Sequence, residues 1–378
     1  MDVIWSRHYG LVEKLSLFTG MWPYLKPRTR YLRIGLMSIT AVAIFVPQIA
    51  YQIRCERDIQ CILTCVPTFL FTIVNIVSLY TFSINSSKIK RLIERLFVDW
   101  EELETPEEIE IFKSHALFCK RFFAIYSAYC FLGVYGFTSA SLVSPILDVL
   151  MPLNESRPVL LPIPAYYFVD TRQYLIYIYG YAIVSCGIFM TAIVAHDCIF
   201  VTYIEHVCCM FTILGSRFEC LFTIHNNAEK NTKSDSDETY CKRIAYLVHM
   251  HRQILEFVKL VEKIFTIPFA LQLLILITQQ EAGGLEMSRY IFYVMGQLFH
   301  LFCLSFEGQK LINHSLEICD KIYDSSWYEA SIKSQKLLIL TMLRSFRPTF
   351  LSAGEIYVFS LESFTTVKKK VNCYRLGM

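Results

Sequence analysis

Charged residues are scarce in this sequence. Asp, Glu, Lys and Arg account for 18% of the 378 residues and apolar residues for 54%, against roughly 25% and 45–50% in soluble proteins. The net charge is only +3, and no basic cluster is interleaved with aromatic residues as in nucleic-acid-binding proteins. The composition excludes an ordinary soluble domain, gives no support for a nucleic-acid partner, and indicates a polytopic protein surrounded by membrane lipid.

The short patterns that mark catalytic and metal sites are also missing. The 14 cysteines are scattered and form no C-x-x-C pair, and neither H-E-x-x-H nor G-x-S-x-G occurs. Glycine-rich phosphate-binding patterns are absent as well. The sequence therefore predicts no enzyme activity, no metal site and no cofactor, and most cysteines are expected to be small apolar core residues.

Long intervals without charge define the expected membrane spans. A helix of about 20 residues crosses a hydrocarbon core of about 30 Å. The first four intervals meet this length, and the last two are shorter but lie close together as a hairpin. The intervals are 34–53, 59–87, 122–147, 173–195, 264–280 and 290–306. With 356–378 as a further helix, the sequence predicts an all-α polytopic membrane protein with seven transmembrane helices.

Lys and Arg are distributed unevenly among the loops between these intervals. If the N-terminus is cytoplasmic, 26 of them lie in cytoplasmic segments and five in the opposite loops. Because cytoplasmic loops retain positive charge, this bias predicts a cytoplasmic N-terminus. With seven spans, the C-terminus is then extracellular.

Aromatic residues recur at helical spacing in the extracellular halves of the spans. Tyrosine combines an apolar ring with one hydroxyl, which suits a small ligand with a hydrocarbon body and one polar group. The alternative is that these residues pack in the core or lie at the membrane interface, as aromatic residues in membrane helices commonly do. The candidate ligand-binding residues are Phe69, Ile73, Phe131, Tyr135, Tyr174, Tyr177, Tyr181, Tyr290, Tyr293 and Gln297.

Two features fall on the expected extracellular side. Asn154, Glu155 and Ser156 form a glycosylation sequon in the proline-rich segment 148–172, so Asn154 is a predicted glycosylation site. Cys55 and Cys61 flank the first extracellular turn. The sequence leaves open whether these two cysteines pair.

The last quarter of the chain carries a series of motifs. Residues 307–315 read E-G-x-x-L-I-x-x-S, 322–328 read I-Y-x-S-x-W-Y, and 348–367 read P-x-x-x-x-A-G-x-x-x-x-x-S-L-E-x-F-T-x-V. Near the start, 17–23 read L-F-T-G-M-W-P. In order and spacing these motifs resemble the signatures of the insect odorant receptors.

This resemblance implies a function and a set of partners. It implies the ligand-tuning subunit of an odorant-gated cation channel in the plasma membrane of olfactory neuron dendrites. The expected ligand is a small volatile molecule held among the second to sixth spans. The expected partner is the family's shared co-receptor, in a hetero-oligomer that is a tetramer. The resemblance also places Glu362, Phe364, Thr365 and Val367 at the pore or subunit interface.

The predicted organisation follows from the spans and the resemblance together. Residues 1–33 form a cytoplasmic segment, and 34–312 hold six membrane helices with the ligand pocket and cytosolic extensions. Residues 313–355 form cytosolic anchor helices, and 356–378 form the seventh, pore-side helix. Apolar residues at helical spacing in 88–121 and 202–263 predict that helices continue beyond the bilayer.

The C-terminal end departs from the family pattern. Lys368, Lys369 and Lys370 follow directly after the last motif, and a lysine costs about 2.5–3.5 kcal/mol at the centre of a bilayer. Consecutive helical residues point about 100° apart, so the three lysines do not all face one aqueous path. Two explanations stay open: an atypical, alternatively spliced end, or a pore lined mainly by partner subunits.

Two other receptor classes are alternatives. A gustatory receptor of the same superfamily would show T-Y-x-x-x-x-x-Q-F near its end, and this pattern is absent. A G-protein-coupled receptor would have an extracellular N-terminus and a D-R-Y-like triplet after its third span, and the sequence shows neither. The identity of the odorant is not predicted.

Overall fold

The computed structural model describes residues 2–56, 58–151, 161–221, 233–278 and 287–376, and they are almost entirely helical. The helices are α1 Asp2–Thr19, α2 Pro27–Arg54, α3 Ile59–Ile84, α4 Ser86–Glu101, α5 Pro106–Ala140, α6 Val143–Leu150, α7 Leu175–Cys220, α8 Lys233–Thr278, α9 Met287–Asp324, α10 Ile332–Ser345 and α11 Leu361–Leu376, with a 3-10 turn at Trp327–Glu329. Strands β1 Ser352–Ala353 and β2 Tyr357–Val358 form an antiparallel hairpin. The prediction of an all-α membrane fold is confirmed.

Four helices in the described ranges are long and apolar enough to cross a membrane: α2, α3, α5 and α7. α2 contains the expected span 34–53, whereas the expected spans 59–87, 122–147 and 173–195 extend beyond α3, α5 and α7 by three, seven and two residues. Of the two shorter expected spans, 290–306 lies within α9, and the described part of 264–280 lies within α8. Both helices also contain charged residues. Residues 279–286, between α8 and α9, lie outside the described residues.

Several helices are much longer than a bilayer is thick. α7 and α8 each have 46 residues and α9 has 38, whereas about 20 suffice for a crossing. Of the predicted helical segment 88–121, residues 106–121 belong to α5, whereas 88–101 belong to the separate helix α4. Of 202–263, residues 202–220 belong to α7 and 233–263 to α8. In α5, α7 and α9, residues of the expected span and residues beyond it form one continuous helix.

α7 occupies the centre of the molecule. It packs most extensively on α5 and α9, and it also contacts α1, α3 and α8. Almost every residue from 192 to 215 on α7 is buried. Because protein surrounds the helix here, the segment has no solvent-exposed polar face.

An ion pair fixes the start of α5 against the end of α7. Arg217 on α7 binds Glu108 on α5 with two hydrogen bonds, of 2.6 Å from Nε and 2.9 Å from Nη2. Glu108 also closes the start of its own helix, since its carboxylate accepts from the Glu104 amide at 2.8 Å and its amide donates to Thr105 at 3.2 Å. Such reciprocal capping and a bidentate pair define where α5 begins.

The last helix begins later than the sequence predicts. Residues expected to open the seventh helix at position 356 form β2 instead, and α11 starts at Leu361. Gly354 and Glu355 have φ values of 61° and 60°, which lie in the left-handed region that favours glycine. These two residues turn the chain between β1 and β2.

A disulfide links the end of α2 to the start of α3. Cys55 and Cys61 are bonded to each other, so the structure settles the pairing that the sequence leaves open. Beside them, Arg54 lies 3.5 Å above the ring of Tyr166, in the segment before α7. Asn154, the predicted glycosylation site, lies outside the described residues.

Candidate functional site

Some of the predicted ligand residues lie where α5, α7 and α9 meet. The rings of Phe131 and Tyr135 on α5 stack at 6.3 Å. A methyl group on Gly187 of α7 would lie only 2.7 Å from the Tyr135 hydroxyl, so the glycine makes room for this tyrosine. Tyr293 on α9 lies 6.1 Å from Phe137 on α5. We call the region marked by these aromatic contacts the α5–α7–α9 cleft; Tyr135 is 41% exposed there.

Other predicted ligand residues lie elsewhere. Phe69 on α3 stacks on Phe45 of α2 at 4.7 Å, and Tyr181 lies 6.1 Å from Tyr167. Ile73 is half-buried on α3, and Tyr174 and Tyr177 contact each other near the start of α7, with Tyr177 76% exposed. Tyr290 lies in the first turn of α9, and its side chain is not among those described. The structure therefore does not gather all ten candidates in one cavity.

Gln297 lines a small cavity at the base of this region. The cavity holds about 10 Å³, which is the room that one water molecule needs. It lies between α8, α9 and the β-hairpin. Its polar lining residues are Gln272, Gln297, His300 and Tyr357. Gln297 thus faces the same cavity as Ala353 and Tyr357 of the hairpin.

A buried carboxylate ties three helices together beside this cavity. Asp197 on α7 accepts hydrogen bonds from Tyr126 of α5 at 2.6 Å and from His300 of α9 at 2.9 Å. His196 contributes a third hydrogen bond at 3.0 Å. A charge in the membrane needs such partners, and these three polar groups satisfy it. His300 is a hydrogen-bonded structural residue here.

Sequence reasoning missed Asp197. The signal that finds it is its position, because it is a single carboxylate two residues beyond the fourth charge-free interval. An isolated ionisable residue at such a place marks a functional or structural centre.

A second cluster of ionisable residues lies further along α7. Glu205 is paired with Lys310 of α9 and lies 2.6 Å from His115 of α5. Lys310 also lies 4.0 Å above the ring of Phe118. Glu307, the first residue of the E-G motif, is fully buried and lies 3.9 Å from Lys310. Burial raises the pKa of Glu307 to about 8, so it carries a proton at neutral pH.

Stability is expected to fall as pH rises because of Glu307. A carboxyl group with an ordinary pKa of about 4.3 binds its proton more tightly in the folded chain, where the pKa is about 8. The favourable contribution is complete below about pH 4 and is lost as pH rises through the folded pKa, by about 1.4 kcal/mol per pH unit. The melting temperature of the detergent-solubilised protein measures this between about pH 5.5 and 8.5.

Glu307→Gln is the control for this prediction. Glutamine keeps the shape of the protonated carboxyl group and does not ionise, so its melting temperature should change much less with pH. An equal slope in the two proteins would contradict the assignment to Glu307.

The E-G motif continues into a clasp around the β-hairpin and the start of α11. A Cβ atom added to Gly308 would lie 2.6 Å from Cβ and 2.8 Å from the carbonyl carbon of Phe359, and closer still to the carbonyl oxygen. Next to it, Gln309 accepts from the Leu361 amide at 3.3 Å, and the hydroxyls of Ser305 and Tyr357 lie 2.8 Å apart. α9 thus holds the chain that enters α11 at backbone contact.

α8 completes the clasp from the other side. Glu262 accepts from both the amide and the hydroxyl of Ser352, at 3.1 and 2.8 Å. Thr266 donates to the Ser352 carbonyl at 3.3 Å. The hairpin is therefore fixed to both helices that follow the fourth span.

The expected pore and interface residues divide into two faces of α11. Phe364 and Val367 pack against the core of their own chain, and Phe364 lies 5.4 Å from Phe302 of α9. Glu362 and Thr365 are exposed, as are Lys368 and Lys369. The exposed face is the one that a neighbouring subunit can reach.

Apolar side chains are exposed on α10, beyond any expected span. Leu340 and Phe346 are 63% and 65% exposed. Ile332, Ile339 and Leu343 are exposed along the same short helix. A patch of this kind outside the bilayer indicates a protein interface.

Comparisons with known proteins agree on one family. A family model described as 7tm Odorant receptor matches residues 58–371. The chain is 23% identical over 173 residues to Odorant receptor 22c of Drosophila melanogaster and 29% over 126 residues to Odorant receptor Or2 of Anopheles gambiae. It is 24% identical over 335 residues to Odorant receptor 13a of Drosophila melanogaster.

The matched lengths differ among these relatives. The segments cover 43%, 30% and 80% of this chain, and 42%, 32% and 76% of the three relatives. Among solved structures, the insect olfactory receptor OR5 from Machilis hrabei in complex with eugenol matches with a TM-score of 0.76 at 17% identity, over 98% of this chain and 97% of that one. This likeness establishes the fold as that of a seven-helix membrane protein.

Proposed function

This chain belongs to the 7tm odorant receptor family, and from that premise we propose that it is the ligand-tuning subunit of an odorant-gated cation channel in the plasma membrane. The family comprises receptors rather than enzymes. One observation carries the proposal beyond the family: the helix that bears Tyr293 and Gln297 also clasps the chain entering α11. Ligand-side and pore-side elements are thus parts of one rigid unit.

The α5–α7–α9 cleft is the proposed odorant site. Phe131, Tyr135 and Tyr293 supply apolar rings, and the two tyrosines also supply hydroxyl groups. Gln297 supplies an amide in the neighbouring cavity between α8, α9 and the hairpin. The Tyr293 hydroxyl is buried and has no hydrogen-bond partner among the described residues, so a ligand with one polar group satisfies it. The similar receptor OR5 is described in complex with eugenol, a phenol with an apolar body, and small aromatic alcohols are the first ligands to test.

We propose that the channel opens when a movement of α9 displaces α11. A ligand that moves Tyr293 shifts α9 as a rod, because the helix continues without interruption to Asp324. Gly308 and Gln309 are in contact with Phe359 and Leu361. A displacement of α9 therefore carries the first turn of α11 with it.

The proposed partner is the family's shared co-receptor, in a hetero-oligomer. The exposed apolar patch on α10, with Leu340 and Phe346 at its centre, offers a surface for another subunit. Glu362 and Thr365 on the exposed face of α11 are the proposed pore-side contacts. Lys368 and Lys369 on that face favour a pore in which other subunits supply most of the lining.

Expression with and without the co-receptor tests the proposal. Current evoked by an odorant panel is expected only when both chains are present. A current from this chain alone would contradict the tuning-subunit role. A G-protein-dependent response without an inward current would contradict the channel itself.

Tyr293→Phe is expected to change which odorants activate the receptor. The substitution removes the buried hydroxyl and keeps the ring, so alcohols should lose about tenfold in apparent affinity, the equivalent of one hydrogen bond to a ligand, while surface expression is preserved. Tyr177→Phe is the matched control, because Tyr177 is exposed. Dose–response curves for alcohols and their methyl ethers measure the effect. Unchanged ranking in Tyr293→Phe would assign this tyrosine to packing only.

The proposed orientation makes a separate prediction. An epitope tag before Asp2 should be inaccessible to antibody on intact cells, because the positively charged loops retain that end in the cytosol. A tag after Leu376 should be accessible. Surface labelling of the N-terminal tag on unpermeabilised cells would overturn the orientation.

A further inference from the structure

A cavity between described helices lies outside the α5–α7–α9 cleft. It holds about 100 Å³ between α2, α3 and α7, ten times the volume of the cavity beside Gln297. For comparison, an apolar cavity of about 150 Å³ binds benzene. Small residues create this space, since Ala41 of α2 and Ala192 of α7 face it.

The cavity opens toward lipid. Val42 and Tyr80 at its mouth are exposed, whereas Met37, Leu79 and Phe189 at its floor are buried. Both α2 and α3 are long and apolar enough to span the membrane. A molecule dissolved in the bilayer therefore reaches the site without passing through water or through the odorant cleft.

A buried hydrogen-bond acceptor lies in the wall. Asn75 on α3 is 4% exposed, and its amide nitrogen donates to the Phe71 carbonyl at 3.0 Å. Since a carbonyl only accepts, the amide oxygen points the other way, and it accepts no hydrogen bond from the described part of the chain. An unpaired amide oxygen at this depth costs several kcal/mol in lipid.

The hydroxyl hydrogens of Ser38 and Tyr80, the other polar groups of the cavity, already form hydrogen bonds within the protein. Ser38 donates to the Ile34 carbonyl at 2.8 Å, so the Tyr80 hydroxyl, 3.1 Å away, donates to the Ser38 oxygen. The Asn75 amide oxygen is thus the polar atom of the cavity that has no partner in the described part of the chain, and it can only accept. A ligand that pairs with it must bring a donor, which an alcohol or phenol has and an ester, ketone or ether lacks.

We propose that this cavity is a second binding site, which takes a small apolar alcohol or phenol from the bilayer and places its hydroxyl hydrogen on the Asn75 amide oxygen. The site does not depend on the odorant role of the other cleft, because α7 separates the two. Phe189 and Ala192 face the second site, whereas Gly187 faces Tyr135.

Photolabelling of the purified full-length protein tests the site. The probe is octanol carrying a diazirine, and labelled peptides are identified by mass spectrometry. Label is expected on peptides that contain residues 34–45 of α2 and 71–84 of α3. 4-Methylphenol should compete at a concentration at least about tenfold lower than 4-methylanisole, which has the same ring and no donor, because one buried hydrogen bond separates them.

Three variants sharpen the result. Asn75→Leu should remove the preference for the phenol, and Ala41→Leu, which fills the cavity without touching the amide, should reduce labelling by at least about fivefold. Ala43→Leu is the matched control on the exposed side of α2 and should label as the parent does. If Asn75→Leu fails to fold, Ala41→Leu and the two competitors still decide the matter.

Several outcomes would overturn the proposal. Equal competition by the phenol and its ether would remove the role of Asn75. Full labelling of Ala41→Leu would place the probe elsewhere. Displacement by cholesterol at lower concentrations than by the phenol would assign the cavity to a bilayer lipid instead.

Discussion

Gly308→Ala is expected to abolish odorant-evoked current. The added methyl group would lie 2.6 Å from the Phe359 Cβ atom and within overlap of its backbone carbonyl. Backbone atoms on both sides leave no flexible side chain to move aside, so α9 and the start of α11 must separate. We expect a loss of current of at least about a hundredfold, because a misplacement of about 1 Å is enough to disable a coupled site. Current per surface receptor, with the co-receptor present, is the measurement.

Gly296→Ala is the matched control for this experiment. It makes the same change on the same helix, and nothing lies within 4 Å of a Cβ atom there. Alanine in a helix interior is slightly more stable than glycine, so this variant should conduct at least as well as the parent. Parental current from Gly308→Ala would show that α9 does not drive α11 through this contact.

Asp197→Ala is expected to prevent the receptor from reaching the cell surface. The substitution removes the acceptor for Tyr126, His196 and His300 together and leaves their polar groups buried without a partner. Breaking a buried charged network by removing one member costs about 3–5 kcal/mol, a large part of the stability of a protein. Surface biotinylation measures the loss.

A triple variant tests whether the unpaired polar groups, rather than the absence of Asp197 itself, cause the loss of surface expression. Asp197→Leu combined with Tyr126→Phe and His300→Leu replaces the network by apolar groups except at His196, which restores most of the stability when unpaired polar groups cause the loss. Surface expression should recover in the triple variant and not in Asp197→Leu alone. Normal surface levels of Asp197→Ala would contradict the structural role.

The helical content of the chain was predictable because it rests on local patterns. Charge-free intervals gave the first four spans, and helical periodicity gave their extensions at 88–121 and 202–263. The β-hairpin was not predictable in this way. Ser352 and Tyr357 adopt it because Glu262 and Ser305, far away in sequence, bond to them.

The candidate site was predictable only in part. Aromatic spacing identified Tyr135 and Tyr293, which the fold brings to neighbouring helices. The same spacing also selected Tyr177, because periodicity defines a face and does not say whether that face meets protein or lipid. Asp197 and Asn75 escaped the aromatic pattern. The available signal was a carboxylate just beyond a charge-free interval for Asp197, and an amide within the interval 59–87 for Asn75.

Because α7 is one unbroken helix, a movement at one of its ends is transmitted to the other. At about 1.5 Å per residue, its 46 residues form an arm of about 69 Å. Gly187 rests on Tyr135 near one end, while Arg217 and Glu219 are tied to α5 and α9 near the other. A tilt of one degree about the middle of the arm shifts each tip by about 0.6 Å. A small angular change near Tyr135 therefore moves the Arg217 and Glu219 contacts at the far end of the helix.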